Sequence, residues 1–169
     1  TPQAKEIHQL FFAAASSALS DTLANPKWLG AKASGFTMIL HTWNQRLHFH
    51  PHIHSIVPGA GIDAEGSVVT VRNADFLVPQ HALRSIFRAR FRDGLAALEE
   101  DESREAKRSR GVPLPYATQP AIDPSVWRKD WGVHLQPFGT GENIIKYLGR
   151  YVCRTAIGDS RIVSITDTH

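Results

Sequence analysis

The densest chemistry in the sequence lies in Arg46-Leu47-His48-Phe49-His50-Pro51-His52-Ile53-His54, where four histidines fall within one short stretch. Side chains two apart on a strand point to one face, so His52 and His54 present two imidazoles to the same side with Ile53 behind them. Two neutral imidazoles so placed can hold one divalent ion. The plainer alternative is a pair of polar residues on the wet face of a half-buried strand. His50 shares the alternation and is taken as the third ligand, although it stands before Pro51. His41 on the preceding strand, and Gln136 and Glu142 near a second motif, stay open for that role.

The second motif is Asn143-Ile144-Ile145-Lys146-Tyr147-Leu148-Gly149-Arg150-Tyr151-Val152-Cys153-Arg154. Tyr147 and Tyr151 are four apart, so on a helix they stack along one face. Ile145, Leu148 and Val152 mark the buried side, and Lys146, Arg150 and Arg154 form a basic stripe beside the tyrosines. A tyrosine hydroxyl, with an ordinary pKa of about 10, is a poor nucleophile alone. A divalent cation that polarises a phosphodiester oxygen makes such an attack feasible. Rings that merely cover a core would need no metal beside them.

The elements that must position these residues can be read from periodicity. Ala4 to Leu23 carries Ile7, Leu10, Phe11, Leu19 and Leu23 mainly at helical spacing, and Asn25-Pro26 ends that helix. Phe36 to Trp43 reads as a central strand, and His52 to Val57 as its antiparallel neighbour, closed by Pro58-Gly59-Ala60-Gly61. Ser67 to Arg72 is a third strand after the turn Asp63-Ala64-Glu65-Gly66. A long helix from Pro79 to Leu98 has an apolar stripe of Leu83, Phe87, Phe91, Leu95 and Leu98 and an arginine stripe of Arg84, Arg88 and Arg92. Residues 99–120 are charged and then proline-rich, and are expected to form an exposed excursion. Asp123-Pro124 opens a short helix; Trp131 to Phe138 is a fourth strand, Glu142 to Ala156 the tyrosine helix, and Arg161 to Thr166 a fifth strand. The order implies an α+β fold, an antiparallel sheet of about five strands flanked by helices, in one domain over residues 1–169.

Composition narrows the functional classes. The chain has 169 residues, 42% of them hydrophobic, a net charge of +3 and a single Cys. That Cys, Cys153, excludes an internal disulfide. No apolar run approaches the ~20 residues of a membrane span, and no signal peptide is visible, so a reducing intracellular setting without a membrane partner is expected. Arg outnumbers Lys by 13 to 6, and arginine favours bidentate phosphate contacts, which makes nucleic acid a reasonable partner. The chain does not begin with Met, and its last stretch, Arg161 to His169, reads as a strand that stops just where a hairpin would turn, so a fragment of a longer protein is expected.

Together the motifs resemble the HUH single-strand DNA endonucleases, named for His-hydrophobic-His, here His52-Ile53-His54. Within them the sequence is most similar to the two-tyrosine transposases of the insertion-sequence-91 type, distant relatives of helitron and rolling-circle replication initiators. The resemblance rests on Leu40-His41-Thr42-Trp43, on His50 to His54 with Val57-Pro58-Gly59, on Tyr147-Leu148-Gly149-Arg150-Tyr151, and on Ala156-Ile157 with Ser160-Arg161-Ile162.

The resemblance implies a ferredoxin-like or RRM-like sheet, a Mg²⁺ or Mn²⁺ ion, and single-stranded DNA at transposon ends and target as partner. It implies a covalent bond between Tyr147 or Tyr151 and a 5′ phosphate, and a bacterial, nucleoid-associated location. Lys146, Arg150 and Arg154, followed by Arg84, Arg88 and Arg92, are the candidates for phosphate contacts. Such transposases carry a Cys-rich zinc-binding region before the catalytic part, and with only Cys153 no such site can form here. Two other readings compete: a metal hydrolase using Zn²⁺-activated water with structural tyrosines, and a non-catalytic single-strand DNA-binding module derived from such a transposase.

Overall fold

The computed structural model describes residues 2–44, 46, 48–108, 122–139, 143, 144 and 146. The fold is α+β, as expected, and the chain divides into two compact units: residues 1–34 with 59–135, and residues 35–58 with 136–169.

The first unit is built on two long helices, α1 (Pro2–Ala24) and α2 (Gln80–Arg108). The stripe facing the core from α1 includes the buried Ala14, Ala18, Leu19 and Leu23, and α2 returns Leu83 and Phe87. Small residues on α1 let the helices approach while Phe11 fills the space beyond, edge-on to Phe87 at 5.4 Å and to Phe91 at 5.6 Å. The buried hydroxyl of Thr22 is satisfied within the helix by donating to the Ala18 carbonyl. Asn25 ends α1 by accepting from the backbone N–H groups of Trp28 and Gly30, both at 3.0 Å. Gly30 takes φ +74°, a left-handed value that costs glycine nothing, and the chain turns back so that Ala31 N–H meets the Leu23 carbonyl.

Helix α2 runs past the expected end at Leu98 to Arg108. Charge alone does not break a helix, and the sequence from Glu99 to Arg108 supplies Glu, Arg, Ala and Lys, which are strong helix formers, with no Gly or Pro. The expected excursion therefore contributes another stretch of helix before residues 109–121, which lie outside the described residues.

Beside the helices, β1 (Ala60–Ile62 in the first unit) pairs antiparallel with β2 (Val68–Thr70) across the expected Asp63 turn. The Asp63 carboxylate accepts from the N–H groups of Glu65 and Ser67. Gly61 was expected in a closing turn but lies within β1, where a Cβ would collide with Ala31 and the Ala33 carbonyl. The short 3-10 helix η1 (Pro124–Arg128) begins at the expected cap, Asp123, whose side chain accepts from Ser125 N–H at 2.8 Å.

The expected fourth strand is not formed: residues 131–138 adopt no regular structure. Its first residue is committed elsewhere, because Trp131 packs on Phe87 and Phe91 at 5.5 and 5.7 Å and its indole donates to the Val126 carbonyl. Pro137 removes a ladder donor near the other end.

The second unit holds the hairpin of β3 (Thr37–Trp43) and β4 (Phe49–Ile56). Among the described residues the sheets are thus two separate two-stranded ones rather than a single sheet of five. The expected third strand forms over residues 68–70 and pairs with residues 60–62. The expected fifth strand lies outside the described residues, and of the tyrosine helix Asn143, Ile144 and Lys146 are described and helical.

Candidate metal centre

The β3–β4 hairpin places histidines by register. Ile39 faces His54 and His41 faces His52, so three imidazoles share one face of the two strands. Leu40 and Ile53, also cross-strand partners, occupy the opposite face. The rings of His41, His52 and His54 lie 4.9–5.4 Å apart between centroids, each pair edge-on. One ligand nitrogen from each lies within 4.8 Å of the others. Ion–imidazole bonds of about 2.0–2.1 Å put two ligand nitrogens at most about 4.2 Å apart. A modest ring rotation therefore suffices to close this set on one ion.

His50, expected as the third ligand, is not part of this set, and Pro51 supplies the reason. Between the pairs His41–His52 and Trp43–Phe49, β3 contributes Thr42 alone while β4 contributes His50 and Pro51. Pro51 has no N–H for the ladder, and the extra residue is accommodated as a β-bulge that breaks the alternation. His50 acts through its backbone: its carbonyl lies 2.8 Å from His52 Nδ1. A carbonyl can only accept, so the proton belongs on Nδ1 and the lone pair of His52 on Nε2, free to meet a cation.

His54 is half-buried, with Nε2 shielded from solvent. Burial, then the neighbouring His52 and His41, holds its pKa below the ordinary histidine value of 6.5. It is therefore neutral at physiological pH, the form a metal requires. A donor set of three imidazoles suits borderline divalent ions such as Zn²⁺ and Fe²⁺ best; Mg²⁺ and Mn²⁺ both favour oxygen, Mn²⁺ accepting nitrogen ligands more readily than Mg²⁺. The residues present thus fit a divalent cation, with Mn²⁺ the better match of the two expected.

The other expected site residues are distributed as follows. Lys146 is exposed on the described part of the tyrosine helix. Tyr147, Tyr151, Arg150, Arg154 and Glu142 lie outside the described residues, and Gln136 is exposed in a segment without regular structure. Arg84 and Arg88 belong to the first unit, where they hold the segment after η1: Arg84 pairs with Asp130 at 3.1 Å and Arg88 donates to the Lys129 carbonyl at 3.1 Å. Arg92 pairs with its neighbour Asp93 at 2.8 Å. The signal that singles out His41 is present in the sequence only once a register is assumed, since it sits at no regular interval from His52.

Residues 35–169 match a protein family described as "Putative transposase". The chain is 32% identical over 163 residues, 95% of its length, to "Putative transposase y4qJ" of Sinorhizobium fredii. It is 30% identical over 142 residues, 76% of its length, to the "Transposase for insertion sequence element IS801" of Pseudomonas savastanoi pv. phaseolicola. It spans 40% of the first relative and 30% of the second. No solved structure matches. Among the described residues no helix is long and apolar enough to cross a membrane.

Proposed function

The chain belongs to this transposase family, and on that premise we propose that it carries the catalytic part of a transposase that cleaves and rejoins single-stranded DNA. The observation that carries the proposal is the His41, His52 and His54 set, with ligand nitrogens within 4.8 Å, in a chain of this family. A divalent ion held there would polarise a non-bridging phosphate oxygen and stabilise charge developing in transfer.

The protein's own groups do the rest. The His50 carbonyl fixes the tautomer and orientation of His52, and the enclosure of His54 keeps its ring unprotonated. Tyr147 or Tyr151 attacks the phosphorus, so that a tyrosine Oη–P bond forms as the P–O3′ bond breaks. The proton lost by tyrosine balances the one gained by the departing 3′ oxygen. The phosphotyrosine preserves the cleaved linkage, which lets a later 3′ hydroxyl rejoin the strand without an external energy source. Two tyrosines four apart allow two successive transfers, as rolling-circle-like transposition needs. Lys146, Arg150 and Arg154 are assigned to the backbone phosphates, with Arg84 and Arg88 as further contacts.

The test is to incubate end-labelled single strands from a candidate element end with the protein and Mn²⁺ or Mg²⁺, with a chelator control. A denaturing gel that resolves protein-bound label then compares wild type, Tyr147→Phe, Tyr151→Phe and the double variant. A metal-dependent adduct lost in the double variant is expected. The three-imidazole donor set also suits Zn²⁺ and an activated water, which favours the metal-hydrolase reading as a second choice. That reading predicts cleavage without an adduct, persisting in the double variant.

A further inference from the structure

We propose that Trp43 and Phe49 form an aromatic platform that stacks on an unpaired base next to the phosphate held at the three histidines. The proposal rests on the function argued above and adds a base-binding subsite to it. Both residues lie at the turn end of the β3–β4 hairpin and are register partners. The Pro51 bulge brings this about: without the extra residue, His50 would face Trp43 and Phe49 would fall on the opposite side of the sheet. The bulge thus brings a phenyl ring opposite Trp43, where a regular ladder would set His50, whose ring stays 5.3 Å from that of His52.

Trp43 stacks on His41, with ring centroids 5.8 Å apart and planes within 18°, so the indole adjoins the metal set within the length of a single nucleotide. Phe49 is 75% exposed and Trp43 36% exposed, although both are large enough to serve a core. An apolar surface continuous with three imidazoles suits a ligand that is flat and apolar at one end and anionic at the other. A nucleotide of a single strand has that form. A duplex does not offer it, because its bases are already stacked on one another.

The whole chain, in chelator so that cleavage does not contribute, is titrated with a fluorescent oligothymidylate and with a fully abasic strand of equal length. Wild type is expected to bind the oligothymidylate, and Trp43→Ala to weaken that binding by about tenfold or more, with Phe49→Ala weaker by a smaller factor and Trp43→Phe close to wild type. On the abasic strand, which keeps the phosphates, all four proteins bind alike, and the salt dependence is unchanged because no phosphate contact is lost. Equal binding of wild type, Trp43→Ala and Phe49→Ala to oligothymidylate overturns the platform and leaves the proposed function standing. Failure of wild type to bind any single strand overturns the functional reading, and the platform with it. Far-UV circular dichroism checks folding; should Trp43→Ala not fold, Phe49→Ala, at the more exposed position, decides by the same criterion.

Discussion

In the α1–α2 pair Leu19, Leu23, Leu83 and Phe87 are hidden from water, whereas along β3–β4 the large side chains line half-exposed faces. Every buried apolar residue among the described ones, including Ala18, Leu23 and Phe87, lies outside the hairpin. The helices devote their sequence to packing: Phe11, Phe87, Phe91 and Trp131 make edge-on contacts. The hairpin devotes one face to His41, His52 and His54, residues that contribute little hydrophobic burial and carry chemistry. The lesson is a division of labour in which stability and reactivity rest on different residues and should fail separately.

The largest expected effect is at the hairpin. Changing His52 and His54 together to Ala should reduce adduct formation on single strands to background while the helical circular dichroism signal persists. Metal-dependent adduct in that variant would break the division at once.

The complementary change is Leu23→Ala, at a side chain 1% exposed in the helix pair. It should cost about 2–5 kcal/mol in chemical denaturation, as buried leucines do, yet leave Mn²⁺ affinity of the folded protein unaltered. A smaller cost, about 1–3 kcal/mol, is expected for Gly61→Ala, whose new Cβ would meet Ala31 and the Ala33 carbonyl. Both are read from urea midpoints, and a change in Mn²⁺ affinity in either would show that the two regions are coupled.

The mildest effect comes from pH. The pKa of His54 is lowered in the folded protein, so its neutral form is favoured there. This contribution is complete above the unfolded value of 6.5 and is lost as pH falls from there towards the lower folded value. Mn²⁺ affinity should accordingly be level near neutral pH and decline below that range, as protons compete for the ring. Calorimetric titration across pH 5–8 checks it, and an affinity that rises on acidification would contradict the assignment.

The helix pair was largely legible because a repeated apolar stripe specifies both a helix and the face it buries. The two histidine-bearing strands were legible for the same kind of reason. What failed were features that depend on partners distant in sequence. Residues 60–62 look like a glycine turn until Ala31 and Ala33 are brought against Gly61, where a side chain has no room. The extended pattern from Trp131 to Phe138 looks like a strand until Trp131 is drawn onto α2. At the site, His52 and His54 follow from local alternation, but the third member of the set does not. Choosing His41 over His50 requires both the cross-strand register and the bulge at Pro51, and neither is encoded in the spacing of the histidines.

That choice is also where the structure can be tested most directly. Mn²⁺ binding, followed by titration calorimetry and by the electron paramagnetic resonance signal of the free ion, is compared for wild type, His41→Ala and His50→Ala. The expected result is that His41→Ala weakens binding by at least about tenfold, while His50→Ala, which keeps the carbonyl that orients His52, binds nearly as wild type does. Loss of binding in His50→Ala with retention in His41→Ala would contradict the proposed centre.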